Sequence, residues 1–480
     1  MRPAGRVREW PAIVMQPADP PISGRPTFSA AELAAAVGGR LVHDGGAGIR
    51  GAAVDSRRLA AGQAFFALPG KRTDGHAFLA DAVEHGAAAL VVTRLPEADL
   101  LARLTAAPSA ATAWRTRFEP LVVGVTGSLG KTSTKEQTAE LLGERWRVLR
   151  NTANENNEIG LPLTLLRLGP EHGAAVVEMG MYVPGDISVL AAIARPRIGV
   201  VTAVRGTHLS RSGSIEAIEA GKRELVEALP DGGTAVLNAD DARVSRMAVT
   251  LREAVSVLRY GFAPTADVSA SEISSLAERG MRFVLRTGAG EVDIETPALG
   301  RHGVHNALAA AAVGLAVGFD LGEIAAGLAR PVSAPHRSTL VDLGRWRVLD
   351  DSYNAAPDSM RAALDLLSTL PGRRVAVLGE MLELGETAHL EHVAVGEHAA
   401  GRADLLIAVG ELADAYAEGA RRAGMASAAI TLAADRPAAL DALLSSLRDG
   451  DVVLLKASRG IALELLLDGL RAAAGEGSRA

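Results

Sequence analysis

Short apolar runs separated by stretches of helical period recur along the 480-residue chain and fall into three groups. In residues 27–115, a helix over Phe28–Ala36, capped by Ser29, precedes the apolar strands Ala64–Leu68 and Ala88–Val92. Ala106–Thr116 is rich in Ala and Thr without a clear period and reads as a linker. In residues 120–333, the runs Leu121–Val125, Ala174–Glu178, Ile198–Val204 and Thr234–Asn238 alternate with helical patterns such as Ile215–Leu229. That alternation predicts βαβ units and a mainly parallel sheet. A second boundary is expected at Pro331–Pro335. In residues 334–480, Trp346–Asp350, Arg374–Gly379, Leu405–Gly410 and Val452–Lys456 read as strands, with helices such as Pro357–Leu370 and Arg436–Leu447 between them. A doubly wound, Rossmann-like sheet is the natural reading. The expected fold class is α/β in three domains, the central one built on a parallel sheet.

Composition narrows this picture. Hydrophobic residues make up 48% of the chain but aromatics only 3%, so the cores must be built mostly from Ala, Val and Leu. A net charge of −6 argues against a nucleic-acid or membrane-surface partner. The absence of cysteine excludes disulfides, thiolate metal sites and a cysteine nucleophile, and fits a reducing compartment. Every long apolar run is broken by charges, Gly or Pro before the length a membrane span needs. Met1–Arg25 carries no apolar signal core and reads as a weakly ordered extension.

One stretch carries specific chemistry. Residues 124–133 read Gly-Val-Thr-Gly-Ser-Leu-Gly-Lys-Thr-Ser, between an apolar strand and a helix-forming run. Glycines let backbone N–H groups close on phosphate oxygens, and the helix N-terminus adds positive potential. Lys131 can reach the β and γ phosphates, and the Thr132 hydroxyl can ligate Mg²⁺. The general phosphate-loop pattern wants glycine where Val125 stands, so the match is imperfect. A nucleoside triphosphate ligand is nonetheless expected.

Other candidates are weaker taken singly. Glu178 and His208 follow apolar strands, on the sheet edge where open α/β folds place ligands, and could serve a hard cation; taken alone, a solvated loop residue is the plainer reading of each. Lys222 lies in a helical stretch, where a solvated face is the plainer reading. Residues 154–158, Asn-Glu-Asn-Asn-Glu, offer amides suited to polar ligands, or form a turn before a helix. Asp350-Asp351-Ser352-Tyr353-Asn354 closes a strand and suits a ribose or cation contact, or a helix cap.

Taken together, these segments identify the chain as similar to the Mur ligases of peptidoglycan synthesis. The resemblance spans about residues 27 to 470. It rests on the loop at 127–133, Asn-Glu-Asn-Asn-Glu-Ile-Gly-Leu-Pro-Leu-Thr from 154, Glu178-Met179-Gly180, Asn238-Ala239-Asp240-Asp241 and Asn306-Ala307. Asp350 to Ala355, Leu378 to Gly385 and Lys456-Ala457-Ser458-Arg459-Gly460 complete it. The Asp-Ser-Tyr-Asn and Gly-Glu-Met-Leu-Glu-Leu-Gly segments point to the branch that joins D-alanyl-D-alanine to a UDP-N-acetylmuramoyl-tripeptide.

The resemblance implies roles. Gly127, Ser128, Leu129, Gly130, Lys131, Thr132 and Ser133 would cradle ATP, with Asn306 near the adenine, Arg337 at the γ-phosphate and Asp351 also on the nucleotide. Thr132, Glu178, His208 and Lys222 would serve Mg²⁺, Lys222 after carbamylation by CO₂. Lys131, Lys222, His208 and Arg337 would be the catalytic set. Ser56, Arg57 and Asp74-Gly75-His76 would receive the UDP end, and Asn156, Asn157, Tyr353 and Asn354 other parts of the substrates. It further implies a cytoplasmic monomer acting on small molecules. Two departures stand out: in Thr202-Ala203-Val204-Arg205-Gly206-Thr207-His208 the family's usual amide is replaced by Ala203 and Arg205 is new, and Ala356 stands where Asn is usual. A ligase for another amine acceptor, a nucleotide-switch binding protein and an inactive relative remain as alternatives; the switch lacks its Asn-Lys-x-Asp base-reading motif.

Overall fold

The computed structural model describes residues 27–39, 48–68, 73–92, 112–152, 155–206, 213–332 and 334–475. The N-terminal extension and His208 lie outside the described residues.

The N-terminal part is a small parallel sheet of β1 (Ala52–Ala53), β2 (Ala64–Ala67) and β3 (Ala89–Val92), in that order. Its first helix, Ala30–Ala36, starts where Ser29 and Glu32 form a reciprocal capping box. The stretch read as a linker includes residues 112–115, which are helical. Trp114 there is buried against Phe28, ring centroids 4.8 Å apart, and its indole N–H donates to Leu168 O at 3.0 Å. A single aromatic in an Ala/Thr-rich run leaves no periodic signal, yet buries enough surface to tie the segment down. One apolar cluster joins Phe28, Leu33 and Phe66 to Leu161, Leu165 and Ile187, so the first sheet shares a core with the next.

The middle part holds β4 (Leu121–Thr126), β5 (Arg147–Arg150), β6 (His172–Glu178), β7 (Ile198–Val201), β8 (Thr234–Asn238) and β9 (Ser256–Tyr260). They form one all-parallel sheet in the order β5-β6-β4-β7-β8-β9. The chain enters at β4 and builds outward on both sides, so the loop after β4 lies at a topological switch point. The run read as a strand through Val204 leaves the ladder after Val201. Beyond that point the Ala203 carbonyl accepts from the Ser128 N–H at 2.7 Å, bending toward the loop after β4. A second, antiparallel sheet of β10 (Ser269–Ser275), β11 (Met281–Thr287) and β12 (Gly290–Thr296) was not legible from the apolar pattern. Helix Gly300–Ala316 is sandwiched between the two sheets. Its run Ala309–Ala312 is fully buried, and small side chains let both sheets approach it.

The C-terminal part contains β13 (Thr339–Asp342), β14 (Arg347–Asp350), β15 (Arg374–Leu378), β16 (Leu405–Val409), β17 (Ile430–Ala433) and β18 (Val452–Lys456). Their order is β13-β14-β18-β15-β16-β17, parallel except for β13. Helix Pro357–Thr369 starts with proline at its first position, and Arg436–Ser446 is capped by Asp435. The last strand, β18, fills the slot between β14 and β15, so Asp350, Lys456 and Leu378 end side by side at a second switch point. Among the described residues no helix is long and apolar enough to cross a membrane.

Candidate active site

The glycine positions follow from close packing. Strand β4 continues through Thr126, with Val125 fully buried in the core, so the loop begins at Gly127 rather than at Val125. Gly127 has φ +148°, and a Cβ there would lie 1.9 Å from Thr202 Oγ1. Gly130 has φ +77°, and a Cβ would lie 2.9 Å from Asn306 Oδ1. Both conformations favour glycine. The Thr202 hydroxyl reaches Leu129 O at 2.5 Å, and Ser128 Oγ accepts from the Arg205 N–H at 2.9 Å, so the segment 202–205 grips the loop from behind. The contact from Ala203 is made by its backbone carbonyl, so losing an amide side chain there leaves this grip intact.

Helix Lys131–Leu142 starts directly after Gly130. The Lys131 ammonium folds over the loop, 2.8 Å from Gly127 O. Desolvation pushes it below its usual range; Glu178 opposes this and Arg337 adds to it. The Thr132 hydroxyl donates to Glu178 Oε2 at 2.6 Å, and Asn156 Nδ2 donates to Glu178 Oε1 at 2.7 Å. Burial alone would raise the Glu178 pKa, but Lys131, Lys135, Arg337 and the Thr132 hydroxyl together hold it below the usual carboxylate range. A hydroxyl and an ionised carboxylate side by side are hard oxygen donors, the set a magnesium ion takes. Asn151, which sequence reasoning missed, fixes this arrangement. Its amide accepts from Glu178 N–H at 2.9 Å and donates to Glu178 O at 3.0 Å, tying β6 to the chain beyond β5.

Lys222, on helix Ile215–Glu227, is 4% exposed and faces the same place. Desolvation pushes its amine well below the usual range; the Lys131 charge adds to this and Glu178 opposes it. A buried amine biased toward its neutral form is nucleophilic.

From the C-terminal part, Arg337 completes the group. It sits between two non-glycine residues with left-handed backbones, His336 (φ +59°) and Ser338 (φ +47°). His336 Nδ1 is 2.7 Å from Asp350 Oδ2, and Ser338 N–H donates to Asp351 Oδ1 at 2.9 Å, so the two acids at the end of β14 hold the strained turn. The Arg337 guanidinium lies over the Tyr353 ring at 4.1 Å, and its buried Nε has no partner among the described residues. Asp351 is further engaged by the buried Lys456 ammonium at 2.5 Å.

The remaining expected residues are placed as follows. Asn306 packs behind Gly130 and its Oδ1 accepts from the Thr134 hydroxyl at 3.3 Å. Asn157 Oδ1 accepts from Ile159 and Gly160 N–H, within its own turn. Asn354 is exposed. Ser56 is buried and donates to Asp81 at 3.0 Å, whereas Arg57 pairs with Asp55 at 2.7 Å and is otherwise in solvent. Asp74 Oδ1 lies 2.7 Å from His76 Nδ1. Arg58, which carried no signal in the sequence, reaches Glu155 at 3.9 Å and brings this N-terminal turn against the Asn-rich loop.

Comparison with known proteins agrees with this architecture. Residues 48–123 match the Mur ligase family catalytic domain, 125–314 the Mur ligase middle domain, and 336–459 the Mur ligase glutamate ligase domain. The UDP-N-acetylmuramoyl-tripeptide--D-alanyl-D-alanine ligase of Escherichia coli is 37% identical over 430 residues, covering 87% of this chain and 92% of that protein. A crystal structure of MurF from Acinetobacter baumannii superposes with a TM-score of 0.84 at 30% identity, covering 93% of this chain and 99% of that one. MurF ligase from Thermotoga maritima, in complex with ADP, gives 0.77 at 27% identity, covering 89% and 98%.

Proposed function

The chain belongs to the Mur ligase family, and from that premise we propose that it joins D-alanyl-D-alanine to UDP-N-acetylmuramoyl-tripeptide at the expense of ATP, in peptidoglycan precursor synthesis. The observation that carries this is the convergence of Lys131, Thr132 and Glu178 with Arg337 from the C-terminal part, four groups suited to a triphosphate and its γ-phosphorus.

In this reading residues 27–115 receive the UDP end through Ser56, Arg57 and Asp74 to His76, residues 120–333 bind ATP, and residues 334–480 close over both. The loop Gly127–Ser133 offers backbone N–H groups to the phosphates. Asn306 and Asp351 flank the nucleotide, and Asn156, Asn157, Tyr353 and Asn354 the acid and amine substrates. Thr132 and Glu178 would hold Mg²⁺, joined by His208 and a carbamylated Lys222, and the ion would screen phosphate charge. Carbamylation suits Lys222 because CO₂ adds to a neutral amine and leaves an anion where a cation would repel the metal.

The terminal carboxylate of the tripeptide attacks the γ-phosphorus, ADP departs, and an acyl phosphate forms. The neutral amine of the dipeptide then attacks the acyl carbon, inorganic phosphate leaves, and the amine proton passes to solvent or to the departing phosphate. Lys131 and Arg337 neutralise the charge gathered at the transferring phosphoryl group, and domain closure keeps water from the acyl phosphate. The family resemblance implies a cytoplasmic monomer, and the cysteine-free chain fits a reducing compartment.

Phosphate release tests this. Purified protein with ATP, Mg²⁺ and the nucleotide-tripeptide should release phosphate steadily only when D-alanyl-D-alanine is added. Turnover with another amine acceptor but not with the dipeptide would overturn the assignment.

A further inference from the structure

Two guanidinium groups share one aromatic ring at the edge of the C-terminal sheet. Arg337 lies 4.1 Å and Arg459 5.1 Å from the centre of the Tyr353 ring. Among the described residues neither makes an ion pair with a carboxylate, and Arg337 acts on Glu178 only at longer range. The aromatic ring gives each guanidinium a face to rest on without a carboxylate. Arg337 belongs to the phosphate side, since its charge acts on Lys131 and Glu178. Lys456 is already committed, at 2.5 Å from Asp351 Oδ2 and 3.0 Å from Asn354 O. Arg459 is therefore a cation at the mouth of the site with no anion assigned to it.

Its position is fixed rather than floppy. It follows β18, the strand at the switch point, where ligands of open α/β sheets sit. Ser458, the residue before it, is buried; its N–H donates to Glu380 O at 2.9 Å and its Oγ accepts from Leu382 N–H at 2.8 Å. A guanidinium held over a ring keeps its N–H edge free for a planar anion.

We propose that Arg459, seated on Tyr353, binds the free carboxylate of the acceptor dipeptide and so sets which end of it faces the acyl phosphate. This rests on the ligase reading above. The acceptor carries one permanent anion, its carboxylate, and one amine that must be neutral to attack. An extended dipeptide spans about 7 Å. From a carboxylate anchored at Arg459, that length lets the amine reach the Arg337 side of Tyr353, where the acyl phosphate would form.

The test compares D-alanyl-D-alanine with D-alanyl-D-alaninamide as acceptors. With the unaltered enzyme the amide should be poorer in kcat/KM by about 10- to 100-fold, the range for one charge-assisted pair. In Arg459→Gln that preference should collapse, chiefly through a raised KM for the acid, while KM for ATP and for the nucleotide-tripeptide stays within about twofold. Arg459→Lys should keep part of the preference, having the charge but not the planar fork. Equal use of acid and amide by the unaltered enzyme, or an undiminished preference in Arg459→Gln, would overturn the proposal. Hydroxylamine added in place of the dipeptide traps an acyl phosphate as its hydroxamate. No hydroxamate from the unaltered enzyme would instead sink the ligase reading itself, so the two failures are distinguishable.

Discussion

The Arg205 guanidinium donates through Nε to Asp358 Oδ2 at 2.9 Å, linking the segment that grips the phosphate loop to the first turn of helix Pro357–Thr369 in the C-terminal part. The same guanidinium pairs with the buried Asp241, and the Arg205 backbone holds the Ser128 hydroxyl. One residue thus touches the loop after β4, the middle part and the C-terminal part. With the two side chains 42% and 48% exposed, the interdomain pair is worth at most about 1 kcal/mol and is weakened by salt.

A double-mutant cycle of Arg205→Ala and Asp358→Ala on kcat/KM should therefore show a coupling of about two- to fivefold at low ionic strength, fading at about 0.5 M salt. Strictly additive effects at low salt would mean that the pair plays no part in closure.

Lys131→Ala should lower kcat by at least the 10²–10³ seen when one preorganised donor is removed, since the Lys131 ammonium sits over the phosphate loop. Thermal melting of the variant should stay cooperative. Near-normal ADP release with all substrates present would remove Lys131 from the site.

Gly127→Ala should abolish ATP binding and cost about 1–3 kcal/mol or more of stability, because its Cβ would meet Thr202 Oγ1 at 1.9 Å and φ is +148°. Adding Thr202→Ala should recover only part of the loss, as Ala203 N would still lie 2.9 Å from the new methyl. Calorimetry with nucleotide titration reads both quantities. An unchanged melting temperature in Gly127→Ala would contradict the packing described.

Lys222 makes a prediction with a sign. Its folded pKa lies well below the ordinary 10.5, so below that pH the unfolded chain binds the proton more readily than the folded one. Folding is penalised across neutral pH, and the penalty shrinks as pH climbs toward 10.5. In buffer free of CO₂ and Mg²⁺, Lys222→Met should raise the melting temperature most near pH 7 and least near pH 10, while abolishing ligase activity. A destabilised or fully active variant would show that Lys222 is an ordinary core residue. Partial rescue of Lys222→Ala by a small added carboxylate would support the carbamate.

The parts of this site that could be read beforehand are those with a local signature. The loop at 127–133 announces itself by glycine, lysine and threonine after an apolar strand; Glu178 closes another strand, but that position alone reads as a solvated loop residue and only the family resemblance singled it out. Lys222 had no such mark; its helix looks like any amphipathic helix, and only the family resemblance singled it out. Asn151 and Arg58 act through contacts between distant segments that no spacing encodes. The antiparallel sheet was hidden because β10 reads Ser-Ala-Ser-Glu-Ile-Ser-Ser, with only Ala270 and Ile273 apolar, and takes its place from pairing with β11 rather than from its own pattern. Trp114 was lost in a run whose neighbours carry no period.

In the proposed reaction the γ-phosphoryl group of ATP passes to the acid substrate and leaves carrying one of its carboxylate oxygens. Nucleotide-tripeptide labelled with ¹⁸O in its terminal carboxylate, turned over with ATP and D-alanyl-D-alanine, should deliver one labelled oxygen to each inorganic phosphate released. Amide bond formation with unlabelled phosphate would contradict it.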